Sequence, residues 1–379
     1  MGFATDAIHA GQKPDPTTGS VTIPIYQTST YAQETIGKHK GFEYARTQNP
    51  TRFALERNVA VLEKGYAGFA FASGMAAISS VCMLLKSGDH VIVTENVYGG
   101  TYRLFQQIFT NLGLQFEFVD TSELENIRKA MKNNTRMVYV ETPTNPLLTL
   151  TDLRLTANFC GDMNFLMVVD NTFMSPYFQK PLSLGADIVV HSTTKYLNGH
   201  SDGVGGIAVV SRKELAEKLA YVQNAAGAIL SPFDSWLVLR GIKTLALRMQ
   251  KHEENAKRIA EYLSHVKKVR KVFYPGLPDH PQHDLCRKQC TGFGGMISFD
   301  VGTLENARTI VENLKIFTFA ESLGGVESLV GHPVSMTHAS VPKERRQKLG
   351  LTDGIVRLSV GVEDVEDLIG DLSYAFDRI

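Results

Sequence analysis

Three short stretches of this 379-residue chain place reactive side chains at the ends of apolar runs. Val168-Val169-Asp170-Asn171 ends on an acid, and Ile188-Val189-Val190-His191-Ser192-Thr193-Thr194-Lys195 passes from a β-branched run into hydroxyls and an amine. Ala72-Ser73-Gly74-Met75-Ala76-Ala77 reads as a turn entering a helix of small residues, whose free N–H groups and positive dipole end suit an anion such as phosphate. Taken singly, each has a plain structural reading. A strand-end Asp forms a turn or a cap, a Ser-Gly pair caps a helix, and a lysine is a solvated charge. Together they supply an amine that can condense with an aldehyde, an acid that can keep a ring nitrogen protonated, and a cradle for a phosphate. Those are the requirements of pyridoxal 5′-phosphate (PLP) chemistry.

The elements that must position these groups follow from the hydrophobic pattern. His90 to Val93, Phe116 to Val119, Met137 to Val140, Phe165 to Val169, Ile188 to Val190 and Ile207 to Val210 predict strands, several of them apolar on both faces as a covered parallel sheet requires. Helical stretches alternate with them, for example Glu123 to Lys132 and Lys213 to Val222, so an α/β domain is expected over residues 61–250. Ligands bind at the carboxyl ends of strands in such sheets, which is where the three stretches fall. Residues 1–60, rich in Thr, Gly, Pro, Gln and Asn, predict an extended arm with short pieces of structure. One long helix over Leu237 to Tyr262 leads into a smaller α+β domain, residues 251–379. Its strands are predicted near Gly295 to Val301, Ile316 to Ala320 and Ile355 to Val360, and its helices near Leu304 to Leu314 and Val365 to Phe376.

Composition narrows the partners. Lys+Arg and Asp+Glu both number 39, so there is no electrostatic footprint for nucleic acid or a membrane surface. No segment has the roughly 20 apolar residues of a membrane span. The start, MGFATDAIHAGQ, lacks the pattern of a signal peptide, and Asp6 stands where a myristoylation motif wants Ser or Thr. The four cysteines read as reduced thiols, and the expected compartment is the cytoplasm.

With these motifs in order, the chain resembles, nearly end to end, the PLP enzymes of Cys/Met metabolism. That family contains cystathionine γ-lyase, cystathionine γ-synthase, cystathionine β-lyase and methionine γ-lyase. The resemblance runs through Tyr44-Ala45-Arg46-Thr47 with Asn49-Pro50-Thr51, Ser73-Gly74-Met75, Val97 to Tyr102 and Glu141-Thr142-Pro143-Thr144-Asn145-Pro146. It continues through Val169 to Thr172, His191 to Tyr196, Arg240 to Thr244, Glu321 to Gly325 and Arg357 to Gly361. It implies an aspartate aminotransferase-like fold of type I and PLP as the cofactor. Lys195 would carry the cofactor and move protons, helped by the Tyr98 phenol. Asp170 would pair with the ring nitrogen, Tyr98 would stack on the ring, and Gly74, Met75, Ser192 and Thr194 would bind the phosphate. Tyr44 and Arg46 would reach the phosphate of a neighbouring subunit, so the site would need a homo-oligomer, in the family a tetramer of two dimers. Arg357 would grip the α-carboxylate of an amino-acid substrate, with Asn145 and Ser322 positioning cofactor and substrate.

Glu321 is the acid found in γ-lyases and γ-synthases, where β-lyases of the enteric type carry an aromatic. Methionine γ-lyases usually have Cys at the position of Gly100. The implied reaction is therefore α,γ-elimination of L-cystathionine, with γ-replacement on an O-acyl-homoserine as the alternative and β-elimination after it. Other readings need other contexts. Gly199-His200-Ser201-Asp202-Gly203 fits the G-x-S-x-G elbow of serine hydrolases, but no strand is predicted before Ser201 and no helix after it. A binding-only descendant would have lost Lys195, Asp170 or Arg357. His280, His283, Cys286 and Cys290 are spaced as metal ligands could be, yet fit a loop entering a helix equally well, and no metal is expected. Gly203 to Gly206 lacks the spacing of a dinucleotide loop.

Overall fold

The computed structural model describes residues 1–339 and 341–379. Its first sheet contains β1 (Ala67–Phe71), β2 (His90–Thr94), β3 (Gln115–Val119), β4 (Thr135–Glu141), β5 (Leu166–Asp170), β6 (Ile188–Ser192) and β7 (Gly206–Val210). Their order across the sheet is β1-β7-β6-β5-β4-β2-β3. Neighbours from β6 through β3 are parallel, and β7 runs antiparallel to both β6 and β1. One direction therefore brings the carboxyl ends of β1, β2, β4, β5 and β6 to the same edge.

Alternation of side chains explains why these strands read as continuous apolar runs. Val91, Val93, Met137, Tyr139, Val168 and Val190 pack into one core, while Ile92, Val138, Val140, Met167 and Val169 pack into another on the opposite face. Each fully buried aliphatic side chain contributes about 1.5–3 kcal/mol relative to exposure, so a polar residue on either face would be costly. The helix Leu153–Met163 covers one face; it starts where Asp152 accepts the Leu155 N–H at 2.9 Å and stops at Asn164 in a left-handed conformation.

The second sheet has the order β10-β11-β12-β9-β8, where β8 is Lys271–Phe273, β9 Met296–Asp300, β10 Thr318–Phe319, β11 Leu329–Gly331 and β12 Ile355–Ser359. Helices Leu304–Asn313 and Val365–Phe376 pack on it over Phe299, Val356 and Leu358.

β8, β11 and the helix Pro50–Leu62 at the end of the predicted arm are not among the predicted elements, and two further differences have a clear physical reason. β1 is absent from the predicted strands, because Ala-Gly-Phe-Ala-Phe carries no β-branched residue; its Gly68 lies against the helix Pro50–Leu62, where a Cβ would meet the Glu56 carbonyl oxygen at 2.5 Å. The single helix predicted over Leu237 to Tyr262 is two, Pro232–Ile242 and Leu245–His265. Buried Arg248 makes the break possible by donating to the carbonyls of Gly241 at 2.8 Å and Tyr196 at 2.7 Å. In sequence it looks like one more surface charge on an amphipathic helix. No helix among the described residues is long and apolar enough to cross a membrane.

Candidate active site

A cavity of about 290 Å³ opens at the edge where β1, β2, β4, β5 and β6 end. Gly74, Met75, Tyr98, Asn145, Asp170, Ser192, Thr194 and Lys195 reach it from the first sheet, and Glu321, Ser322 and Arg357 from the second. Eleven of the thirteen residues singled out in the sequence thus share one cavity. Tyr44 and Arg46 are the other two. They line a separate surface hollow of about 320 Å³ with Gln27, Thr28, Ser29 and Ile229, and the single chain does not bring them to Lys195.

Asp170, the last residue of β5, keeps its carboxylate at the cavity wall. One oxygen accepts from Thr172 N at 3.1 Å and Thr172 Oγ1 at 2.6 Å; the other accepts only the Tyr139 hydroxyl, at 3.3 Å. Burial pushes its pKa up despite the Thr172 bonds. Among the described residues it forms no ion pair with a cation, so its charge lacks the partner a buried carboxylate needs.

Lys195 follows β6 and points across to the second sheet, where its Nζ donates to Ser322 Oγ at 2.7 Å. Burial and, secondarily, the Arg357 charge bring its pKa down to about 8, with Glu321 pulling the other way. Ser322 is held at φ 117, a conformation L residues rarely adopt, which aims its hydroxyl at the amine while its carbonyl faces Arg357. Arg357, buried in β12, donates through Nη1 to Asn145 Oδ1 at 3.0 Å and through Nη2 to Ser322 O at 3.0 Å. Its Nε is buried without a partner, leaving donor capacity for an incoming carboxylate.

The remaining wall is a backbone cradle. Gly74 begins the helix Gly74–Cys82, capped by Ser73 Oγ, and a Cβ on it would lie 2.9 Å from Ser192 Cβ. A Cβ on Gly206 would meet the Ser73 carbonyl oxygen at 2.2 Å. The turn, β6 and β7 therefore approach as closely as backbones can. Thr194 Oγ1 belongs to this wall too, accepting Gly205 N at 3.0 Å. Tyr98 lies at the rim with its ring folded over Gly100, where a Cβ would come within 2.4 Å of Tyr98 Cε1.

Comparison with known proteins agrees with this architecture. Residues 4–377 match the family described as Cys/Met metabolism PLP-dependent enzyme. The chain belongs to that family. It is 56% identical over 372 residues to the cystathionine gamma-lyase of Bacillus subtilis, covering 98% of both chains. It is also 56% identical over 374 residues to a Coxiella burnetii protein named cystathionine beta-lyase, covering 98% of this chain and 97% of that one. The solved structure of Lactobacillus plantarum cystathionine gamma-lyase complexed with L-serine superposes with a TM-score of 0.98 at 49% identity, covering 100% of this chain and 99% of that one.

As a member of this family the enzyme uses PLP, and its residues fit that group. An unpaired carboxylate at Asp170 would meet a ring N–H, a helix start with no room for a Cβ would hold a phosphate, and a lysine of depressed pKa would meet an aldehyde.

Sequence reasoning gave no role to several residues that shape the cavity. Glu141 ends β4 as Asp170 ends β5, and the two are register neighbours. Reading every strand end for acids would have found it. Thr172 accepts Ser192 N at 3.0 Å while donating to Asp170, tying β5 to β6. Behind them buried Glu63 accepts from His191 Nε2 at 2.6 Å and Asn171 Nδ2 at 3.0 Å. No spacing rule links Glu63 to His191.

The rival readings fail on geometry. Ser201 donates to the Glu327 carboxylate, no strand precedes it, and β7 rather than a helix follows. The four metal-spaced residues are engaged elsewhere: His283 with Pro275 O, His280 with Gln282 N, Cys290 with Gln179 and Cys286 with Gly292 O. No group of three or more candidate metal ligands occurs among the described residues.

Proposed function

We propose that this enzyme cleaves L-cystathionine on its γ side: with one water it yields L-cysteine, 2-oxobutyrate and ammonia. The observation that carries this reading is the placement of a guanidinium and a carboxylate in one cavity. Arg357 lies deep in it, while Glu321 is exposed at its edge and near enough to be felt by both Lys195 and Arg357. A substrate with an α-carboxylate at one end and an ammonium at the other satisfies both charges.

The bound cofactor supplies the electron sink for charge developing at the α-carbon. Arg357 holds the carboxylate, its planar fork already fixed by Asn145 and Ser322 O. Lys195, brought into a range where it can be neutral near physiological pH, takes the α-proton and then removes a proton from the β-carbon, which must leave before the γ-sulfur can depart. Ser322 Oγ steers the amine between these positions, and the Tyr98 phenol is the next group able to donate toward the departing sulfur. Asp170 answers the ring nitrogen, Gly74, Met75, Ser192 and Thr194 the phosphate. Tyr44 and Arg46 complete the phosphate site of a neighbouring copy, so the working unit is a homo-oligomer, a tetramer of two dimers.

The relatives named gamma-lyase and beta-lyase are equally similar, so the bond broken must be read from products. Cystathionine alone should give cysteine and 2-oxobutyrate. Homocysteine and pyruvate would identify a β-lyase, and cystathionine made from cysteine with an acyl-homoserine, with little cleavage, a γ-synthase. Glu321→Gln should raise KM for cystathionine more than for shorter substrates; equal effects would refute distal recognition.

A further inference from the structure

Glu141 is 5% exposed, and each of its oxygens accepts one backbone N–H. Oε2 accepts from Tyr98 at 2.9 Å and Oε1 from Asn145 at 3.1 Å. These amides belong to segments with different tasks. Tyr98 precedes the helix Gly99–Arg103 and carries the ring over the cavity rim. Asn145 holds Arg357 through its side-chain oxygen at 3.0 Å. A carboxyl group offers an acceptor at each oxygen, whereas a glutamine in the same place would turn its N–H toward one of the two amides.

Burying a carboxyl group beside a second one is expensive. Glu141 and Asp170 are neighbours at the ends of β4 and β5, and no cation pairs with Glu141 among the described residues. Burial first and Asp170 second push its pKa up to about 8, against the pull of the two N–H donors. A bound water could accept from both amides at lower cost.

We propose that Glu141 is a positioning residue that fixes the Tyr98 segment and the Asn145–Arg357 grip as one unit, so that the substrate carboxylate and the ring-facing tyrosine are set together. This rests on the roles given above to Arg357 and Tyr98, but not on which carbon–sulfur bond is cut.

Glycine carries an α-carboxylate and no group to eliminate, and methylamine lacks the carboxylate. Both can be titrated into the holoenzyme by the change in its visible absorption. Wild type should bind glycine far more tightly than methylamine; if it does not, the reading of Arg357 fails before Glu141 is tested. Given that preference, Glu141→Gln should weaken glycine binding roughly tenfold or more, as loss of a bond to a charged group does, and leave methylamine within about twofold. The visible circular dichroism of the bound cofactor should change as the Tyr98 segment loosens. In Arg357→Lys the further effect of Glu141→Gln should shrink, because both act through one grip. Unchanged glycine affinity and dichroism in a folded Glu141→Gln, or full additivity with Arg357→Lys, overturns the proposal. Should the variant not fold, hydrogen exchange on wild type decides. Glycine should slow the Tyr98 and Asn145 amides together, and slowing of Asn145 alone would refute the coupling.

Discussion

The most direct test of the site concerns Lys195 in protein stripped of its cofactor. An exposed lysine titrates near 10.5, whereas burial and the Arg357 charge bring Lys195 down to about 8. At pH 8 about half of the Lys195 amines are then neutral, against about 0.3% of ordinary lysines, a difference of roughly 150-fold in nucleophilic form. Trace acylation with an anhydride, read peptide by peptide by mass spectrometry, should show Lys195 reactivity rising with pH and levelling off just above 8. The other lysines should still gain about tenfold per pH unit there. The causes can be separated. Arg357→Met removes the second cause and should move the midpoint up, yet leave it well below 10.5, because burial is the larger. Glu321→Gln removes the one group acting in the opposite direction and should move it down. A Lys195 midpoint near 10.5 would refute the reasoning outright, and an Arg357→Met midpoint there would show that charge, not desolvation, was responsible.

Two further outcomes follow from the geometry. Mixing Lys195→Ala with Arg46→Ala subunits after dissociation and reassembly should restore about a quarter of wild-type activity, since half the random dimers are hybrids and each hybrid has one intact site. No recovery, or a fully active monomer, would contradict a shared site. Gly100→Ala adds a Cβ at 2.4 Å from the Tyr98 ring, so apoenzyme should bind PLP several-fold more weakly even though alanine favours a helix by about 1 kcal/mol. Unchanged affinity with a higher melting temperature would show that the ring position does not depend on Gly100.

What was legible in the sequence was whatever repeats a simple physical pattern. Short β-branched apolar runs gave β2 to β7, and the helix Val365–Phe376 was predicted with its observed ends. Strand-end polar residues led to Asp170, Lys195 and the Ser73–Gly74 turn, because chain direction in a parallel sheet gathers them at one edge. The resemblance added Asn145, Ser322 and Arg357, which come from loops and a second sheet and have no local signature. Residues that act through others stayed hidden. Arg248 holds a helix break, Glu141 ties two segments and Glu63 backs His191, and each is a charge whose burial is visible only in three dimensions. A charged letter in a sequence is read as solvated unless a charged partner stands at a fixed spacing, and these partners lie anywhere from 4 to 128 residues away.

The N-terminal arm shows how such a charge bears on assembly. Arg52 is completely buried, yet its guanidinium does not serve the cavity. It donates to the carbonyls of Ala45, Arg46 and Thr47 at 2.8, 3.1 and 3.1 Å, while Asn49 caps the helix that carries it. Sequestering a guanidinium costs several kcal/mol unless its donors are satisfied, and here three are spent on a segment otherwise exposed to solvent. The segment they shape presents Tyr44 and Arg46 outward, with the Arg46 guanidinium 5.7 Å from the Tyr44 ring. Loops with no task beyond connection do not need this. A rigid, outward-facing tyrosine and arginine are what a neighbouring copy's phosphate cradle would require, because a preformed arm binds without the entropy cost of ordering it at contact.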